Sequence, residues 1–183
     1  MLFRSVCREL LARGADPNGR NGGPLRSAAG GNPQMVRMLI EKGARIDVRD
    51  NEGNTPLLVA MNSARLWPRD PAPAIESALA LVAAGADVRA ENAAGRTVLT
   101  VGLREWKYVR EIFSMAPGSE RREELSKLEK HYDNSIATIR ALLATGKVDI
   151  HMRNKAGETV LAYAVREKMT RVAAYLRQAG ARY

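Results

Sequence analysis

The stretch GNTPLLVA, Gly53 to Ala60, returns three more times in thinner form. GGPLRSAA (22–29) precedes it, and GRTVLTVG (95–102) and GETVLAYA (157–164) follow. Thr55 is a good N-cap, and Pro56 fits the first helical position, where its missing N–H costs nothing, so a helix is expected to start here. Leu57, Ala60 and Met61 mark its apolar stripe. Small residues at Ala60, and at Ala28, Ala29, Gly102 and Ala164 in the other copies, let neighbouring helices approach closely.

A second element recurs between the copies: LLARGADPN (10–18), LIEKGARID (39–47), LVAAGADVR (81–89), LLATGKVDI (142–150) and YLRQAGARY (175–183). It reads as a helix end, closed by a glycine (Gly43, Gly85, Gly146 or Gly180) in the left-handed conformation. The connecting segment ARIDVRDNEGN (44–54) has alternating apolar positions and an Asn-Glu-Gly turn, which suits a hairpin-like loop. Gly43 stands 12 residues before Thr55, and Gly85 stands 12 before Thr97. Such an internal repeat implies a stacked array rather than one globular core.

Helix, turn, helix and hairpin loop, at a period of about 33 residues, closely resemble the ankyrin repeat. The likeness rests on Thr55-Pro56-Leu57, on Gly43-Ala44 and Gly85-Ala86-Asp87-Val88, and on Asp50 and Gly53 in the connecting turn. It implies an all-α ankyrin-repeat solenoid in a single domain over 1–183. The units are a half-repeat at 1–18 and repeats at about 19–49, 50–90, 91–153 and 154–183. Departures are informative. The family's frequent His after Thr-Pro-Leu is replaced by Arg26, Leu58, Thr100 and Ala162, so its hydrogen bonds to neighbouring loops must be made otherwise or lost. Thr-Pro becomes Gly23-Pro24, Thr97-Val98 and Thr159-Val160, and the first loop, DPNGRNGG, is shortened. The chain opens inside a second helix, either as a natural half-repeat cap or because a front part is missing. Arg171, Arg177 and Gln178 give the last helix the polarity of a terminal repeat, and Tyr183 reads as its end.

Two copies are stretched. Thr159 to Gly180 spans 21 residues, the family's length, but Thr55 to Gly85 spans 30 and Thr97 to Gly146 spans 49. The first excess falls in SARLWPRDPAPA (63–74), where Pro68, Pro71 and Pro73 argue for an extended loop. The second, 104–132, holds two helical patterns around the breaker APGS. Trp106, Val109 and Phe113 form one stripe; Leu125, Leu128 and Tyr132 form the other, with Ser119 as cap and Glu123/Lys127 as an i,i+4 pair. Both helices of this repeat are therefore expected to extend into a protruding antiparallel pair. Its stripes either pack on each other or serve as a docking surface. Trp67 presents the same choice between pinning its loop and anchoring a partner.

Composition limits the function. The chain has 183 residues, 45% apolar and 27% charged, which is typical of a folded soluble protein. No apolar run approaches the roughly 20 residues that span a bilayer. The start reads as an amphipathic helix, because Arg4, Arg8 and Glu9 break any continuous signal-peptide core. This implies a cytoplasmic location as the sequence stands, and a periplasmic or secreted one if a targeting segment precedes it. Cys7 alone permits no internal disulfide. His131 and His151 lie in no metal-ligand spacing, no phosphate-cradling glycine loop or nucleophile elbow occurs, and carboxylate pairs fall on expected surface. Neither an enzyme, a cofactor nor a metal is expected. The net charge of +9 divides into +3 over 1–60, +1 over 61–132 and +5 over 133–183, without a Lys/Arg run.

By resemblance, such an array binds other proteins on an inner face of loop tips and first helices. The tips supply Arg20, Arg49, Asn51, Glu52, Arg89, Asn92, His151, Arg153 and Lys155. The first helices add Arg26, Asn62, Arg104, Tyr163 and Arg166. So Arg-rich a set favours carboxylate-bearing partners. The first expectation is a protein-binding monomer with an acidic partner, resembling bacterial ankyrin proteins of inhibitor, immunity or adaptor type. The alternative is nucleic-acid binding driven by charge, in which case binding would be strongly salt-dependent. Aromatic residues are only 5%, which weakens the single-strand version.

Overall fold

The computed structural model describes residues 2–19, 22–64, 70–103 and 121–183, without the side chains of 2–5 and 121–131. Its helices are α1 (Leu2–Ala12), α2 (Gly23–Ala29), α3 (Pro33–Glu41), α4 (Pro56–Ala64), α5 (Ala72–Ala83), α6 (Val98–Val101), α7 (Arg121–Leu143), α8 (Val160–Arg166) and α9 (Thr170–Gln178). The starts obey the capping logic. Thr55 Oγ1 accepts from Leu58 N–H, Thr159 Oγ1 from Ala162 N–H and Asn32 Oδ1 from Met35 N–H. Thr97 and Thr100 form a reciprocal capping box. The ends obey it too. At Gly85 (φ 95°), Ala86 N–H reaches back to Leu81 O, and the same bond joins Ala44 to Leu39 after Gly43.

The helices stack in two rows. First helices touch in the order α2, α4, α6, α8, and second helices in the order α3, α5, α7, α9. Within a unit, α2 packs on α3, α4 on α5 and α8 on α9. Leu25, Leu57, Leu58, Leu99 and Leu161 fill the first row; Leu81, Leu142 and Leu176 fill the second, all at most 1% exposed. Each such burial is worth roughly 1.5–3 kcal/mol, and because the core is shared between units no single unit buries enough on its own.

The first insertion differs from expectation, whereas the second agrees in its second arm and departs only where the first helix ends. Helix α5 begins inside the proline-rich stretch, with Pro71 as N-cap and Pro73 in the first turn. Prolines in a first turn have no intrahelical N–H to lose, so they set this helix's start and leave less of 63–74 as loop. In the later insertion, α7 runs unbroken for 23 residues from the expected second arm into the repeat's own second helix. The first arm is not a smooth extension, because α6 stops at Val101 with Gly102 as C-cap. Ser135 Oγ donates to Gly102 O at that point and ties α7 to the end of α6. Trp67, Trp106, Val109, Phe113 and Ser119 lie outside the described residues.

Candidate interaction surface

The loops joining the units carry the surface, and one side chain organises each. Asp50 Oδ1 accepts from the N–H groups of Glu52 (2.9 Å) and Asn54 (2.8 Å). Asn92 Oδ1 accepts from Ala94 (3.0 Å) and Arg96 (3.1 Å), and Asn154 Oδ1 from Glu158 (2.8 Å). Main-chain bonds from Asp50 N–H to Asn54 O, Asn92 to Arg96 and Asn154 to Glu158 close these turns. The expected hairpins are thus tight Asx turns. Among the described residues, the only bridge of strand type joins Arg153 and Thr159.

Consecutive turns are bonded to one another. Asn92 Nδ2 donates to Asn54 Oδ1 (3.0 Å) and Asn154 Nδ2 to Gly95 O (3.1 Å). Ala93 N–H donates to Glu52 O (2.8 Å), and Lys155 N–H to Glu91 Oε1 (2.8 Å). Further along the loops, Arg45 N–H donates to Asn18 Oδ1 (2.7 Å) and Asp87 N–H to Asp47 Oδ1 (3.0 Å). The histidine missing after Thr-Pro-Leu is therefore replaced by a ladder of Asn, Asp and main-chain donors. Gly53 permits the close approach: at φ 76°, a Cβ there would sit 3.0 Å from Ala93 N.

Several residues expected to meet a partner are committed to this ladder. Arg49 donates to Gly53 O and Glu91 O, and Arg153 to Gly157 O and Tyr183 O. Asn92 uses both ends of its amide, and Glu52 accepts from Asn54 Nδ2. Tyr163 is buried at 9% exposure, beneath the Arg166 guanidinium (5.1 Å). Burial pushes its phenol pKa up. Arg166 grips Glu158 (2.8 Å) and Glu167 (3.2 Å), and its bond to Glu158 holds its proton more tightly than usual. Arg26 and Asn62 are half-buried and engaged in interactions of their own. Arg20, Trp67 and Arg104 lie outside the described residues.

Asn51, Arg89, His151 and Lys155 remain exposed. Arg45, not singled out in the sequence, joins them. It follows Gly43-Ala44 in the slot that Asp87 occupies in the next unit, and this loop position is the signal that could have found it. The neighbouring acids behave differently. Asp16, Asp87 and Asp149 accept from main-chain N–H groups two residues on, and Asp47 accepts from the next unit. Asp50 is the extreme case. Burial alone would raise its carboxyl pKa, but the Asn54 and Glu52 N–H groups, the Asn54 amide and the Arg26 charge together hold it below the usual value.

Among the described residues, no group of three His, Cys, Asp or Glu could hold a metal ion, and no helix is long and apolar enough to cross a membrane. The search of curated proteins returned no match. Residues 3–92 match the family model described as Ankyrin repeats (3 copies), and ankyrin repeats generally mediate protein–protein interaction. With Asx turns, glycine-closed second helices and two rows of stacked helices in place, the chain is an ankyrin-repeat protein.

Proposed function

We propose that the chain is a non-catalytic binding module that holds a partner protein through an acidic patch. One observation carries this reading. The described loop aspartates spend oxygens on internal N–H groups. Arg45, Arg89 and Lys155 make no side-chain hydrogen bond or ion pair among the described residues and point into water. The loop aspartates keep their charge but have acceptor oxygens already engaged, so the unengaged charged donors along this edge are Arg45, Arg89 and Lys155, and these are suited to carboxylates of a partner. The alanine- and arginine-rich repeats with irregular insertions resemble bacterial ankyrin proteins, and this supports an inhibitor, immunity or adaptor role acting on a single partner.

Capture from the source organism's lysate, followed by mass spectrometry, should return an acidic protein. The Arg45→Glu/Arg89→Glu/Lys155→Glu variant should lose it at least tenfold while melting within about 4 °C of wild type, since each side chain is exposed and unbonded. Arg49 and Arg153 are unsuitable for this test, because their reversal would also unpick the loops. Retention by the triple variant would refute the reading. Filter binding of a labelled DNA duplex at low and moderate salt separates the alternative. Tight, salt-sensitive retention would make the ridge a polyanion site instead.

A further inference from the structure

The row of first helices does not end flush with α2. Beside α2, a cleft of about 430 Å³ runs along α1, lined by Cys7, Leu10 and Leu11 from α1, Ser27 from α2, and Met35 and Leu39 from α3. Its walls are almost wholly apolar. Leu10, in its lining, is 52% exposed, and Val6, one turn earlier on α1, is 50% exposed.

The repeat itself says what shape this cleft fits. Helix α2 touches the second helix of its own unit (α3), the next first helix (α4) and the next second helix (α5). Moved back one unit, the same three contacts fall on α1, α2 and α3, the three helices that line the cleft. The cleft is thus continuous with the interface that joins α2, α4, α6 and α8. Helices in that row are short, four to nine residues, and bury leucine together with small residues, as α4 does with Leu57, Leu58, Ala60 and Ala64.

We propose that this cleft is a docking seat for a short amphipathic helix of a partner protein, about two turns long, with leucine and alanine on its buried stripe. Recognition is of the helix-in-groove kind, with anchors at i, i+3 and i+4. This site is independent of the cationic loop edge. The loop variant should leave it intact, so the two readings can fail separately.

The probe is a fluorescein-labelled peptide of residues 53–64, GNTPLLVAMNSA, stapled between positions 59 and 63, which are only half-buried in α4. It should bind saturably. Leu10→Glu and Ser27→Phe, one on each wall and both at exposed positions, should each weaken it at least tenfold without moving the melting midpoint. Should either variant unfold, alkylation of Cys7 in the wild-type protein with a bulky maleimide gives the same readout. No saturation up to millimolar peptide, or binding indifferent to all three changes, overturns the proposal. So does a concentration-dependent dimer in sedimentation that Leu10→Glu disperses, because the face would then belong to a second copy. Loss of peptide binding when the protein is extended ahead of Met1 also overturns it, by assigning the cleft to the same polypeptide.

Discussion

Asn92 separates binding from stability most sharply, because its sequence position suggests a partner contact while its geometry makes it a joint. Asn92→Ala removes three hydrogen bonds: the donor to Asn54 Oδ1 and the acceptor shared by Ala94 and Arg96 N–H. A net bond contributes about 0.5–1.5 kcal/mol, and the exposed Ala94 N–H can turn to water, so the expected loss is about 2–3 kcal/mol. For a chain of this length that corresponds to a fall in Tm of roughly 5–10 °C. Asn92→Asp keeps the acceptor oxygen and loses only the rung to Asn54. Asp50 occupies the matching place one unit earlier, so a carboxylate fits there, and the expected loss is about 1 kcal/mol. Urea titrations followed by circular dichroism measure both, with partner affinity measured on the folded variants. Equal damage from both substitutions would refute the claim that the Oδ1 bonds hold the turn. An unchanged stability with lost binding would return Asn92 to the partner surface.

Two other perturbations test the loops. Gly85→Ala meets no atom within 4 Å, so it should cost only the left-handed strain, about 1–2 kcal/mol, whereas Gly53→Ala also presses on Ala93 and should cost at least ~1 kcal/mol more; equal urea midpoints would disprove the close approach. Because the folded pKa of Asp50 lies below its unfolded value, its contribution is present above about pH 4 and fades as pH falls through the folded pKa. The stability gap between wild type and Asp50→Asn should therefore narrow from pH 7 to pH 3, and a gap of constant size would disprove the linkage.

Local chemistry made much of the architecture legible in the sequence. Thr55-Pro56 starts a helix and Gly85 closes one through interactions within a few residues of themselves, so their neighbours in sequence are enough to predict them. The same locality misleads at 63–74, where the prolines argue for an extended loop although Pro71 and Pro73 stand at the start of α5 and are compatible with it. The surface residues divided less well. Arg49, Arg89 and Arg153 look alike in sequence, yet two of them donate to carbonyls in their own and neighbouring segments and one faces water.

The sequence by itself determined the repeat, its period, its caps and its excess of positive charge, since each is written in nearest-neighbour spacing or in composition. Only the tertiary structure decided which polar side chains are spent and which are available. Asn54 and Asn92, 38 residues apart, and Lys155 and Glu91, 64 apart, meet because stacking brings equivalent loop positions together. A hydrogen bond depends on distances of about 3 Å in space, and separation along the chain sets no such distance.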